Sequence, residues 1–140
     1  MRDFLNELKE NLLIFNIDTI RLNYIYPDII NDKMLSGYLE CFIGSGSNWS
    51  NAITNSPHSD KVIRTSEKKN ESQYCSTGLY YFSTIENFFD SYLNFYYDSQ
   101  TKYNYPEHYI SPIFNSLIKD GKSVKIDIID KSSVIFCGNP

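Results

Sequence analysis

Apolar residues recur along this chain in short runs, and the spacing inside each run selects the element. Leu12-Leu13-Ile14-Phe15-Asn16-Ile17 is an almost continuous apolar run closed by Asp18, the pattern of a buried parallel strand with a carboxylate at its carboxyl end. Ahead of it, Phe4, Leu5 and Leu8 share one side of a helix over Arg2 to Glu10. Ile20 to Lys33 is mixed, with Pro27 and Asp28 marking a bend. Gly37 to Ile43 predicts a strand ending in the loop Gly44-Ser45-Gly46-Ser47-Asn48. Trp49 to Thr54 and Lys61 to Glu67 predict two further strands around a polar turn at Pro57, and Ser76 to Phe82 another.

Two helices follow. Ser83 with Glu86 three residues on reads as a capping box, opening a helix whose Ile85, Phe88, Phe89, Tyr92 and Leu93 face the core. A tyrosine-rich polar loop spans Asp98 to Glu107. Ser111 and Pro112 suit an N-cap and first helical position, Ile110, Ile113, Phe114, Leu117 and Ile118 keep helical spacing, and Gly121 suits the stop. Val124, Ile126 and Ile128 alternate as in a strand, and the chain closes on Val134 to Pro140. With no repeat and no linker, residues 1–140 read as a single α/β domain.

Composition narrows the function classes. With 140 residues, 41% hydrophobic and 21% charged, the chain can bury a real core. A net charge of -4 argues against general nucleic-acid binding. Cys41, Cys75 and Cys137 lack the paired spacing of a zinc site or a disulfide framework and suit a reducing compartment. No signal peptide opens the chain and no apolar run is long enough to span a bilayer, so the expected location is cytoplasmic, away from membranes.

Asp18, flanked by Asn16, is placed to hold a divalent cation beyond a strand end; the alternative is an Asp that only opens a turn. The glycine-serine loop at 44–48 lacks a dinucleotide fingerprint and reads as a connector. His58 and His108 have no partner at ligand spacing and read as surface or capping residues. Glu67-Lys68, just past a strand, can offer a carboxylate to hydroxyls and a point charge to a phosphate; the alternative is a solvated charge run. Thr77-Gly78 can present a hydroxyl and bare backbone, or mark a bulge or close packing.

The order of these features carries more than any one of them. A strand ending Asn-Ile-Asp, a Gly-Tyr strand, Glu67-Lys68, Ser76-Thr77-Gly78-Leu79-Tyr80-Tyr81-Phe82, Glu107-His108-Tyr109-Ile110-Ser111-Pro112 and a final Gly138-Asn139-Pro140 form a series over Leu12 to Pro140. It resembles the C-terminal half of bacterial sugar-phosphate nucleotidyltransferases, the nucleoside-diphosphate-sugar pyrophosphorylases, and within them the capsule and surface-polysaccharide branch. The resemblance implies a partial Rossmann-like nucleotidyltransferase (GT-A-like) mixed sheet with flanking helices, the N-terminal nucleotide-binding half missing. It implies transfer of a nucleotidyl group from a nucleoside triphosphate to a sugar 1-phosphate, giving a nucleotide sugar and pyrophosphate.

By that resemblance Asp18 is the metal-binding aspartate, with Mg2+ as cofactor, and Lys68 faces the sugar phosphate; these two are the catalytic positions. Gly37 meets the sugar through backbone, Glu67 binds sugar hydroxyls, Thr77 and Gly78 line the pocket, and Glu107 is a sugar-side acid. Two departures accompany it. Phe136 stands where the family carries a second metal-binding aspartate, and Met1 to Asn11 contains no glycine-rich loop to grip a triphosphate. The expectation is therefore one truncated domain, weak or inactive alone, whose apolar edge at Leu12 to Ile17 drives homodimerisation or pairing with a missing half. The alternative function is a non-catalytic nucleotide-sugar-binding or interaction module. A glycosyltransferase fits less well, because Asp127-Ile128-Ile129-Asp130 has the wrong spacing for an Asp-x-Asp metal motif.

Overall fold

The structure, a computed structural model, describes residues 2–98 and 106–138. A mixed sheet forms its centre. Its strands are β1 (Leu12–Phe15), β3 (Leu35–Ile43), β4 (Asn51–Thr54), β5 (Val62–Ser66), β6 (Tyr74–Phe82) and β7 (Ser123–Ile128). They run in the order β5-β4-β6-β3-β7, with β1 also paired to β6. Two shorter strands, β2 (Thr19–Arg21) and β8 (Val134–Phe136), make a separate antiparallel ribbon. Three α-helices, α1 (Arg2–Glu7), α2 (Ile85–Tyr97) and α3 (Phe114–Lys119), and three short 3-10 turns complete the regular structure of the described residues.

Every residue of β6 is buried, because the sheet is covered on both faces. Tyr80 and Phe82 join Leu39, Phe114, Leu117, Val124 and Ile126 in a cluster under the helices. Leu79 and Tyr81 point the other way, into a second cluster with Leu35 and Tyr38. Segment 22–34 closes that rear face with Tyr24, Ile29 and Ile30. A strand buried on both faces loses its polar alternation, which is why Leu79 to Phe82 is an unbroken apolar run.

The same physics accounts for the opening run and corrects its direction. Leu12 and Ile14 pack on the first cluster and Leu13 and Phe15 on the second, so both faces are covered. The strand is nevertheless antiparallel to its partner, pairing Leu12 with Phe82 and Phe15 with Leu79. Face coverage dictates hydrophobicity, whereas strand direction is set by connectivity that a local run does not encode. The parallel pair is instead β3 with β7. All four residues of β1 are half-buried, and β6 is the strand that β1 pairs with among the described residues.

The helix signals hold with shifts of one to three residues, α1 ending at Glu7 rather than Glu10. Helix α2 is capped by Thr84, whose hydroxyl accepts the Asn87 N–H at 3.0 Å, while Ser83 accepts from the Asn87 side chain. Its core face is Phe88, Ser91, Tyr92, Phe95 and Tyr96; Phe89 and Leu93, expected inside, are about half exposed. Ser111-Pro112-Ile113 forms a tight 3-10 turn before α3, and the buried Ser111 side chain makes no cap bond. Gly121, at φ +76°, ends α3 as expected. Cys41 and Cys75 are buried free thiols and Cys137 an exposed one. No described helix is long and apolar enough to cross a membrane.

Candidate functional site

The ends of β1 and β5, the middle of β6 and the ribbon meet at one cavity of about 260 Å3. Asn16 and Thr19 enter from the turn after β1, Trp49 and Ser50 from the loop before β4, and Glu67 and Lys68 from just beyond β5. Thr77, Gly78 and Tyr80 come from β6, His108 and Tyr109 from the segment before the 3-10 turn, and Phe136 from β8.

The turn carrying Asp18 is fastened at both ends. The Asn16 N–H donates to the Gly78 carbonyl at 3.0 Å, and the Cys137 N–H to the Asp18 carbonyl at 2.8 Å. Gly78 sits at φ +91°, where an added Cβ would meet the Asn16 side chain, so both backbone shape and space require glycine there. At Gly138 a Cβ would collide with the Asp18 carboxylate, which gives the glycine of the closing Gly-Asn-Pro series a local reason. Asn139 and Pro140 of that series lie outside the described residues.

Glu67 is 8% exposed, and the Ser50 hydroxyl donates to its Oε2 at 2.5 Å. Burial lifts its carboxyl above the usual carboxylate range, opposed by the Ser50 hydrogen bond and the Lys68 charge. Lys68 adopts φ +52°, an unusual backbone region for a residue with a Cβ. Its Nζ donates to the Tyr109 hydroxyl at 2.9 Å and lies 4.9 Å from that ring's centroid. The Tyr109 hydrogen bond raises the Lys68 ammonium above its ordinary value, with smaller help from Glu107 and Glu67. Burial pushes the Tyr80 phenol up to about 12, against the pull of the Ser76 and Ser50 hydroxyls.

Four of the sequence candidates thus share one cavity wall: Glu67, Lys68, Thr77 and Gly78. Asp18 stands beside it, exposed, between the lining residues Asn16 and Thr19 in sequence. Glu107 is exposed and borders the cavity through its neighbour His108. Gly37 lies elsewhere. A Cβ there would fall 2.7 Å from the Phe114 ring and 2.8 Å from the Tyr81 carbonyl, so the glycine lets Phe114 seat on the sheet.

Thr77 lines the cavity, but its hydroxyl is engaged within the protein. It donates to Glu40 Oε1 at 3.0 Å and accepts the Leu79 N–H at 3.3 Å. Glu40, 1% exposed, pairs with Arg21 Nε at 2.9 Å. Arg21 Nη1 also bonds the carbonyls of Leu22 and Ser133, at 2.8 and 3.2 Å. This network ties the ribbon that carries Asp18 to the strand that carries Gly78. Sequence reading passed over it, since neither Arg21 nor Glu40 has a local motif. His108 is exposed, as a surface residue should be, and also lines the cavity, stacked on Tyr96 at 4.1 Å with Nδ1 2.7 Å from the Tyr92 hydroxyl.

The donor set for a cation is thin. Among the described residues no group of three His, Cys, Asp or Glu side chains converges. Asp18 offers one carboxylate, and Phe136, paired with Thr19 across the ribbon, holds the position expected for a second acid. Magnesium demands six oxygens in near-octahedral array, and these residues alone do not fit that shell.

No family model and no curated protein matches the chain. Among solved structures, a nucleoside-diphosphate-sugar pyrophosphorylase from Vibrio cholerae RC9 superposes with a TM-score of 0.86 at 41% identity, over 93% of this chain and 52% of that one. A protein from Bacillus anthracis described as a glucose-1-phosphate thymidylyltransferase, solved with sucrose, superposes at TM-score 0.63 and 22% identity, over 91% of this chain and 48% of that one. The inositol-1-phosphate CTP transferase of T. maritima gives 0.56 at 12% identity, over 90% of this chain and 47% of that one. The last two share the fold alone. The chain spans about half the length of each solved structure it matches.

Proposed function

We propose, for a chain that forms part of the sugar-phosphate nucleotidyltransferase fold, that its cavity is the sugar-phosphate side of a nucleotidyl-transfer site. The observation that carries this reading is the meeting of Glu67, Lys68 and Gly78 at one cavity, beside the turn that holds Asp18. In the reaction, a phosphate oxygen of a sugar 1-phosphate attacks the α-phosphorus of a nucleoside triphosphate. The α–β bridging bond breaks and pyrophosphate departs. Such chemistry needs alignment and charge neutralisation more than a covalent nucleophile. Lys68 neutralises the sugar phosphate, Glu67 accepts ring hydroxyls, and Gly78 makes room for the Asn16 side chain to pack at the cavity. Asp18, on the turn beside the cavity, would give one carboxylate to a cation at the transferred phosphate only if further ligands came from outside these residues.

Residues gripping the triphosphate lie, on this reading, outside these 140 residues, on the same polypeptide or another. The chain by itself is then one truncated unit that binds sugar phosphate with weak turnover or none. A cytoplasmic role in capsule or surface-polysaccharide assembly accords with it, as do the free cysteines. The test is calorimetric titration with hexose 1-phosphates, alongside a pyrophosphate-release assay. Lys68→Ala and Glu67→Gln should each weaken binding by about tenfold or more, the weight of one charge-assisted hydrogen bond. Unaltered binding in both variants overturns the assignment, and turnover that survives Asp18→Ala removes Asp18 from it.

A second reading, an interaction module, draws on the edge at β1. The strand is paired on one side among the described residues, and Ile17 beyond it is fully exposed. An apolar free edge is a template for strand addition. Light scattering behind size-exclusion chromatography should show a dimer, or a complex with a polypeptide supplying the rest of the fold. A stable, monodisperse monomer counts against this reading.

A further inference from the structure

The cavity has an aromatic section set into a polar lining. Trp49 and Phe136 both line it, with ring centroids 4.6 Å apart at 57°. Each also packs on Phe42, at 5.1 and 5.3 Å respectively. Phe42 is fully buried and stays out of the lining, so it backs the pair from the core side. Trp49 arrives from the loop before β4 and Phe136 from the end of β8. Two remote segments therefore converge to build one fixed aromatic surface.

Both rings remain half-buried. Apolar ring area left open to a water-filled cavity is unfavourable, and the loss is recovered when an apolar surface covers it. The rest of the lining sets what that surface belongs to. Asn16, Asn48, Ser50 and Glu67 offer hydrogen-bond donors and acceptors, and Lys68 offers a cation. A cavity of about 260 Å3 is at the small end for ligand sites, which suits a monosaccharide-sized molecule and is too small for a whole nucleotide sugar. A hexopyranose phosphate combines these demands. It carries a phosphate and several hydroxyls, and the C–H face of its ring is its one apolar surface.

We infer that Trp49 and Phe136 form a stacking wall for the sugar ring of a hexose 1-phosphate. This rests on the function proposed above and goes beyond it, since it gives Phe136 a ligand-facing role at the position where an acid was expected.

Trp49 is the one tryptophan of the chain, so intrinsic fluorescence reports on the wall directly. The full chain is titrated with glucose, galactose, mannose and N-acetylglucosamine 1-phosphates, with inorganic phosphate and uridine monophosphate as comparisons, and calorimetry is run in parallel. The expected result is a saturable change in Trp49 emission that tracks the heat of binding for at least one hexose 1-phosphate. Phe136→Leu should weaken that binding by about tenfold, the size of a lost aromatic contact, and Phe136→Tyr should restore it. Far-UV circular dichroism and a Trp49→Phe variant separate loss of contact from loss of fold.

Binding by calorimetry with silent emission, and Phe136→Leu within about twofold of the parent, would overturn the wall while leaving the pocket assignment standing. The same emission change with inorganic phosphate or with the nucleotide would overturn it too, since the sugar ring would not be the group against Trp49. Absence of binding for every hexose 1-phosphate removes both the wall and the function on which it rests.

Discussion

Replacing Arg21 by Met isolates the buried network that joins the two halves of the site. Arg21 and Glu40 are 12% and 1% exposed, and their Nε–Oε1 distance is 2.9 Å. Without the guanidinium, Glu40 keeps one donor, the Thr77 hydroxyl at 3.0 Å. It also faces Asp127, its register partner on β7, whose carboxyl is already raised by burial and by Glu40 and pulled down by Arg21. Removing one member of a buried ion pair costs about 3–5 kcal/mol, because the survivor stays buried and unpaired. Removing both members is gentler. Arg21→Met combined with Glu40→Met should lie within about 2 kcal/mol of the parent, the residue being the bonds lost at Thr77, Leu22 and Ser133.

Urea unfolding at several pH values is the assay. The single variant removes the cation that pulls the buried Asp127 carboxyl down, so that carboxyl binds its proton more readily in the native than in the unfolded state. Its deficit is therefore smallest in acid and grows as pH rises above the ordinary carboxylate range. A deficit below about 1 kcal/mol that is flat with pH, or a double variant less stable than the single, refutes the reasoning.

Three further outcomes follow from the geometry. Burial raises the Glu67 carboxyl, so its folded form holds a proton that the unfolded chain releases, and its contribution to stability falls as pH climbs above the usual carboxylate value. Glu67→Gln should match the parent near pH 4 and exceed it at neutral pH in thermal melts, while sugar-phosphate binding weakens. Gly78→Ala places a methyl against Asn16 at φ +91° and should cost about 1–3 kcal/mol in urea unfolding; a loss under about 0.5 kcal/mol would show that the turn relaxes freely. Thr84→Ala removes the true cap of α2 and should cost about 1 kcal/mol, against a few tenths for Ser83→Ala, so equal losses by denaturation would contradict the cap assignment.

Most strands could be read from the chain because burial on two faces leaves a local mark. Leu79 to Phe82 and Leu12–Phe15 are apolar at consecutive positions for that reason. Their direction left none, and β1 proved antiparallel. Helix α2 shows the opposite balance. Its existence followed from spacing, but with aromatic residues at 88, 89, 92, 95, 96 and 97 the chain offered more than one apolar stripe. Tertiary packing selected the stripe through Phe95 and left Phe89 and Leu93 in water.

The site divides along a similar line. Glu67-Lys68 and Thr77-Gly78 could be found because each pair is contiguous and sits at a strand end or bend, so local order already marks it. Arg21, Glu40, Trp49 and Tyr109 act through partners 19 to 41 residues away, or through rings brought in from other segments, and nothing beside them in sequence announces this. Phe136 is the sharpest case. By the resemblance an acid was expected there, and phenylalanine cannot hold a metal. The structure shows the same position filled by a ring packed on Trp49 and Phe42, across the ribbon from Thr19. An isolated Asp-to-Phe change would leave an apolar ring facing a polar cavity with nothing to pack on. Because the Phe136 ring has two aromatic partners instead, a test of this position must treat Phe42, Trp49 and Phe136 as a unit rather than introduce an acid alone.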